Sequence, residues 1–319
     1  MMMTAFPLRY ALLAGWMLLL AVTPLIADNY TVRIAITVAM YSAMALSWNF
    51  IGGFAGYPSF STAAFFGLGC YVGALAQRSG VPMVLAWALA TLFVTAFAVA
   101  LGAIILRLKG HYFAIGSIAV VEVVRLVISS WGSLTGGGDG LNVPLIAGGP
   151  DRVAATVLYV MLAVMLAAFV ATVLVDRARL GFGLRCINQN EDAADMVGID
   201  TTRYKIMGYA LSALFCGTVG AIYASWVHYI EPPDVFDVML SVKPLVMVLL
   251  GGLGTIFGPA IGAFLLLTFE EFVWRTFLTV HAAALGIIIV ALVLFLPNGV
   301  LSLTREKLGL RRRAGGEKR

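Results

Sequence analysis

Glu191, Ala193, Ala194 and Gly198 stand at the spacing E-x-A-A-x-x-x-G inside the most polar internal stretch of the chain, Gly181 to Lys205, GFGLRCINQNEDAADMVGIDTTRYK. A carboxylate beside two bare methyl groups at this spacing suits recognition of another protein's surface. Asn188 followed three residues later by Glu191 reads as a capping-box helix start, and Gly198 as its C-terminal stop. The spacing predicts a short helix over 189–197. On it Ala193, Ala194 and Val197 share one sector, with Met196 beside them, and Glu191, Asp192 and Asp195 lie mostly elsewhere. Two adjacent alanines let another surface approach closely, and the acids can meet basic residues around a groove, as in helix-in-groove docking. The plainer alternative is an amphipathic connector on the membrane surface, but an anionic leaflet would repel the acidic face.

Other chemistry-bearing residues are sparse. His111, His228 and His281 are isolated, and the many Ser and Thr have no companion base at a recognisable spacing. No catalytic constellation emerges. Cys70, Cys186 and Cys216 show no CxxC and no His at ligand spacing, so they read as small buried hydrophobes rather than metal ligands. No Gly-Lys dipeptide occurs, so the chain cannot hydrolyse ATP by the P-loop motif, and no cofactor is expected on it. Glu122 falls within a long apolar run with Arg125 three residues on. A charge at mid-bilayer costs ~3 kcal/mol or more, so Glu122 should face the bundle interior or a cavity, as a pathway residue or as a structural partner of Arg125. Glu270 and Glu271, with Arg275 following, present the same choice with the structural side favoured. Lys243, just inside its span, can snorkel outward.

The elements that must position these residues are membrane helices. The chain is 61% hydrophobic and 12% charged over 319 residues, with mean hydropathy +0.97. About ten apolar runs are long enough to cross ~30 Å of hydrocarbon: 8–26, 31–51, 57–77, 82–106, 112–130, 153–175, 206–228, 240–258, 260–280 and 283–302. This is an all-α polytopic membrane protein with discontinuous helices, and no alternating β-barrel pattern is present. The first run follows Arg9 like a signal peptide, but no convincing cleavage site follows it, so an uncleaved helix is expected. Most of the 21 Lys and Arg fall at Arg9, Arg107 and Lys109, 177–205, and 305–319. Placing these in the cytoplasm requires an even number of crossings, with both termini inside and loops 131–152 and 229–239 outside. A transmembrane domain over 1–302, with a cytoplasmic loop at 176–205, then precedes a basic tail at 303–319. The tail reads as an orientation and lipid-headgroup signal, not as a nucleic-acid site.

Two Gly-rich interruptions lie within the apolar sequence, Gly52-Gly53-Phe54-Ala55-Gly56-Tyr57-Pro58-Ser59 and Gly251-Gly252-Leu253-Gly254-Thr255-Ile256-Phe257-Gly258-Pro259. They sit in corresponding positions of the two halves. Non-helical backbone at membrane depth is tolerated only where protein or a water-filled cavity surrounds it, and paired breaks point to a substrate pathway. Tight turns or close helix contacts are the alternative. The pathway candidates are Asn49, Gly53, Gly56, Tyr57, Ser59, Glu122, Gly252 and Gly254.

Five segments carry a family resemblance: SWNFIGGFAGYPSFSTAAFFGLGCYVGA (47–74), LRLKGHYFAIGSIAVVEVVRLV (106–127), LTGGGDGL (134–141), the loop ending RYK (203–205), and MVLLGGLGTIFGPAIGA (247–263). The polar loop resembles the EAA-type coupling loop of ATP-binding-cassette importers. From about 41 to 302 the chain is similar to the branched-chain amino acid permease family, and within it to the LivM-type subunit. The resemblance implies a bacterial inner-membrane permease subunit importing a branched-chain amino acid or related small solute. It also implies a second LivH-like permease, two LivG/LivF-like ATPase subunits that bind the ATP, and a periplasmic substrate-binding protein. Glu191, Ala193, Ala194 and Gly198 would then be the ATPase-coupling residues. Tyr57 to Thr62 depart from the family's usual Gln-x-Ser-x-Gly-His, keeping only Ser59, and Lys243 stands where an acid is usual; both departures leave the cargo open. A stand-alone ion-coupled secondary transporter is the competing class.

Overall fold

The computed structural model describes residues 15, 17, 19–24, 28–146, 148–276 and 286. The expected last span at 283–302 and the tail at 303–319 fall outside the described residues, as does most of the first span. Besides four-residue turns of helix at Gly132–Thr135 and Pro232–Val235, the described residues form eight apolar helices and two short polar ones: α1 (Asn29–Trp48), α2 (Thr62–Arg78), α3 (Met83–Ile105), α4 (His111–Ser130), α5 (Pro150–Arg177), α6 (Arg179–Gln189), α7 (Glu191–Met196), α8 (Thr201–Val227), α9 (Met239–Gly251) and α10 (Gly258–Thr276). Among the described residues, five stretches are long and apolar enough to cross a membrane: Asn29–Phe54, Met83–Ile105, His111–Ser130, Pro150–Arg177 and Thr201–Val227. The others are the Gly-rich helices next to the breaks.

Local chemistry sets the helix ends. Pro150 takes the first position of α5, where no N–H partner is needed, Asp151 lies in its first turn and Arg177 in its last. The Asp200 side chain accepts from Arg203 N at the start of α8. His228 closes α8 in the left-handed region, at φ 63.

Burial is inverted relative to a soluble bundle. The apolar window of Asn29–Phe54 is 89% buried, but those of α3 and α4 are only 28% and 22% buried. Leu85, Leu89, Leu92 and Phe93 form an exposed apolar stripe along α3, the face a helix turns toward lipid. The centre is held by close backbone approach instead. The Gly220 carbonyl accepts from Cys70 Sγ at 3.1 Å. A Cβ on Gly220 would collide with the Phe66 carbonyl, and one on Gly69 with the Gly217 carbonyl. Small residues at such a seam let backbones meet and bury van der Waals contact where no hydrophobic effect drives association. Gly220→Leu is therefore expected to lower the melting temperature of the detergent-purified chain by about 5 °C, through overpacking against rigid backbone. Thr156→Leu on the exposed face of α5 is the control, and equal shifts for the two would remove the argument.

At one end of the bundle Leu141 pairs with Ile230 and Asn142 with Tyr229 in a short antiparallel ribbon. The loops expected on one side of the membrane, 131–152 and 229–239, thus meet each other. The start of α1 lies at this ribbon end, where Asn29 Nδ2 donates to Asp151 Oδ1 at 2.7 Å. At the opposite end stand α6, α7 and both glycine-rich breaks. The first break is a wide π-helical turn, Asn49–Phe54, followed by an irregular link over 55–61. The second lies between α9 and α10, with Gly252 at φ 123 and Gly254 at φ 64.

Candidate functional site

The polar loop folds as two helices where the spacing predicts one. Asn190 is extended (φ −163, ψ 110) and separates α6 from α7. Its side chain accepts from Ala193 N at 3.0 Å, so Asn190 is the N-cap and not Asn188. Both Asn residues suit an N-cap, and Glu191 three residues on favours Asn188 locally, but the tertiary partner of Asn188 takes its side chain elsewhere. Asn188 Nδ2 donates to the Gly53 carbonyl at 3.3 Å. Its side chain also fills the space that a Cβ on Gly56 (φ 73) would take. The end of α6 is thereby seated on the break in α1. Gly198 stops α7 at φ 86, with Gly198 N on Asp195 O at 2.9 Å and Ile199 N on Ala194 O at 3.1 Å.

Beside this seat lies a buried ionic cluster. Lys205 Nζ donates to Glu191 Oε1 at 2.6 Å, to the Leu106 carbonyl at 2.9 Å and to Tyr57 Oη at 3.2 Å. The ammonium's three donors thus meet three acceptors. Tyr57 Oη in turn donates to Glu191 Oε2. The Lys205 side chain is 4% exposed and that of Glu191 16%, so this is a satisfied internal pair rather than a surface one. Leu106 caps the end of α3, and the charge of Lys205 suits the negative end of that helix. Burial pushes the Glu191 carboxyl up, but hydrogen bonds from Lys205 and Tyr57, with the Lys205 and Lys109 charges, outweigh it and hold it below its usual value. Outside the cluster, Lys109 Nζ meets Asp192 Oδ1 at 2.8 Å in full solvent. That hydrogen bond lowers the Asp192 carboxyl and raises the Lys109 ammonium.

The two breaks touch. Asn49 Nδ2 donates to the Thr255 carbonyl at 3.0 Å, and Gly254 N donates back to Asn49 Oδ1 at 3.0 Å. Thr255 Oγ1 closes the second turn on the Gly252 carbonyl at 2.8 Å. Ser59 enters through its backbone, its carbonyl accepting from Trp48 Nε1 at 2.7 Å.

Of the residues singled out from sequence, Asn49, Gly53, Gly252 and Gly254 come together at the paired breaks. Gly56, Tyr57 and Glu191 come together under α6 and α7. Glu122 joins neither group: it pairs with Arg125 on its own helix at 2.6 Å, with the two side chains 41% and 36% exposed. The alanines separate. Ala194 is buried (3% exposed), Met196 and Val197 are 88% and 76% exposed, and Ala193 is exposed. Lys243 does not snorkel; its ammonium meets Glu270 Oε1 at 2.6 Å and lies 5.3 Å from the centre of the Tyr41 ring. Lys205 escaped sequence reasoning, which counted it among the orientation charges. The available signal was its place directly before the apolar run 206–228, one turn into the helix that carries it.

A family description for the permease component of branched-chain amino acid transport systems matches residues 30–297. The chain is 28% identical over 324 residues to the high-affinity branched-chain amino acid transport system permease protein LivM of Escherichia coli (strain K12), covering 92% of this chain and 76% of that protein. To the LivM protein of Salmonella typhimurium it is 28% identical over 316 residues, covering 90% and 74%. No solved structure matches the chain.

Proposed function

The chain belongs to the family of permease components of branched-chain amino acid transport systems and is a permease subunit of an ATP-binding-cassette importer; from that premise we propose that α7 is the element through which ATPase partners drive it. The observation that carries the proposal is the buried Tyr57–Glu191–Lys205 cluster. It fastens α7 to the link below the first break, to the start of α8 and, through Leu106, to the end of α3. An ATPase subunit docks on the exposed Ala193, Met196 and Val197 face, while Ala194 and Glu191 anchor the helix from within. Displacement of α7 is carried by Asn188 to Gly53 and by Asn49 to Gly254, so both breaks move as one unit. That is a two-state element biased by a ligand bound elsewhere.

The remaining assignments follow this frame. The α6–α7 end, with Lys109, Arg179, Arg185 and Arg203, faces the cytoplasm of the bacterial inner membrane by charge bias. The ribbon end faces the periplasm, where a binding protein delivers a branched-chain amino acid or related small solute. ATP binds on the two partner ATPase subunits and not here. A second permease covers α4, because the half-exposed Glu122–Arg125 pair within that apolar helix is costly against lipid and cheaper against protein.

Ala193→Trp combined with Met196→Asp is expected to cut co-purification of the co-expressed ATPase subunits at least ~10-fold, by overfilling and desolvating an interface centre. Retention of the ATPases at wild-type stoichiometry would sink the docking assignment. Uptake by this chain alone in ATP-depleted vesicles carrying an ion gradient would sink the importer mechanism with it.

A further inference from the structure

A cavity of about 370 Å³ lies between α1, α9 and α10. It begins at Tyr30 in the first turn of α1, at the ribbon end, and reaches Tyr41. At 1.5 Å per residue this is roughly 16 Å of helix axis, about half of a ~30 Å hydrocarbon layer. The volume is in the range that suits a small organic molecule.

Its charged groups are unusual for membrane depth. Glu270 gives one carboxylate oxygen to Lys243, and its other oxygen, Oε2, is buried with no hydrogen-bond partner among the described residues. A buried charged acceptor without a donor is costly and calls for an occupant that supplies one. Arg33, one helical turn below the mouth, has no ion-pair partner among the described residues. Tyr30 Oη and Glu271 Oε1 are joined at 2.6 Å across the rim. Among the described lining residues, Arg33 and Lys243 stand with Glu270 and Glu271. Ile34, Val38 and Leu267 supply an apolar wall. A site with charges of both signs and an apolar wall suits neither a simple anion nor a simple cation. It suits a dipolar ion.

We propose that this cavity is an entry-end binding site for a zwitterionic amino acid with an apolar side chain, whose ammonium donates to Glu270 Oε2 and whose carboxylate meets Arg33. The proposal deepens the importer assignment and rests on it for the direction of movement.

The test uses the whole importer in lipid nanodiscs and saturation-transfer NMR, which reads weak binding directly. The probes are L-leucine and L-phenylalanine, with 4-methylpentanoate lacking the ammonium and 3-methylbutylamine lacking the carboxylate. At least one amino acid is expected to bind about tenfold more tightly than either analogue, the size of one lost charge-assisted hydrogen bond. Arg33→Gln should erase its advantage over the amine alone, and Glu270→Gln its advantage over the carboxylate alone. Arg33→Lys should restore part of the first. The site is overturned if neither amino acid binds, if the analogues bind equally well, or if each substitution weakens all four probes alike, as a merely structural role would. ATP-driven uptake of the same amino acids in proteoliposomes with the binding protein separates the two assignments. Uptake without charge-selective binding sinks the cavity alone; charge-selective binding without any ATP dependence of uptake sinks the importer mechanism alone.

Discussion

Lys205→Met is expected to reduce ATP-driven uptake at least about tenfold and to destabilise the chain by roughly 3 kcal/mol, the low end of the range for breaking a buried ion pair. The low end applies because Glu191 is 16% exposed and can take up a proton once its counter-charge is gone. The lost ammonium leaves the Leu106 carbonyl and Tyr57 Oη each without a donor, and leaves Glu191 held by Tyr57 alone. The informative variant is the double one. Glu191→Gln with Lys205→Met removes both charges, so its stability should lie well above the sum of the single effects. Its uptake should nevertheless stay low, because α7 is no longer tied through Lys205 to the start of α8 and the end of α3. If uptake returned in parallel with stability, the cluster would be a packing feature and not a transmission element. Melting temperature of the purified complex and uptake into proteoliposomes separate these outcomes.

How much of this was legible in the sequence depends on the range of the signal. Membrane helices are written in runs of apolar residues, and α3 (Met83–Ile105) and α4 (His111–Ser130) lie within one residue of the expected bounds, whereas α8 (Thr201–Val227) starts five residues before its expected run at 206 and α9 (Met239–Gly251) stops seven short of 258. The polar loop was legible as a short helical module, and Gly198 as its stop. Its internal geometry was not. Asn188 carries the stronger local capping signal, with Glu191 three residues on, and its diversion rests on a carbonyl 135 residues away, that of Gly53. Ala193 and Ala194 look alike on a helical wheel, yet one is exposed and the other is 3% exposed, because the rest of the chain decides which way a six-residue helix faces. The breaks were visible as glycines, but their contact through Asn49 spans 205 residues. Lys205 was hidden for a further reason: a lysine near a polar loop reads as an orientation charge, and nothing local says that Glu191 and Leu106 close over it.

Gly53→Val and Gly254→Val are each expected to lower uptake at least about tenfold, for two different physical reasons. A Cβ on Gly53 would collide with the Asn49 side chain and lie 2.8 Å from Gly254 N. Asn49 cannot swing away without losing both its bonds to the second break. Gly254 is held at φ 64, where a β-branched residue is an outlier, and its Cβ would also lie 2.9 Å from the Gly53 carbonyl. Gly254→Asn separates strain from contact, since Asn visits the left-handed region readily. If backbone conformation alone mattered, this variant would transport normally. Contact between the breaks predicts that it stays impaired, because its Cβ meets the same carbonyl. Asn49→Asp completes the set: it keeps the acceptor for Gly254 N but removes the donor to the Thr255 carbonyl, so it should lie between wild type and Gly53→Val. Wild-type uptake for Gly254→Asn and Asn49→Asp together would mean that the breaks move independently. Transmission from α7 would then end at Gly53.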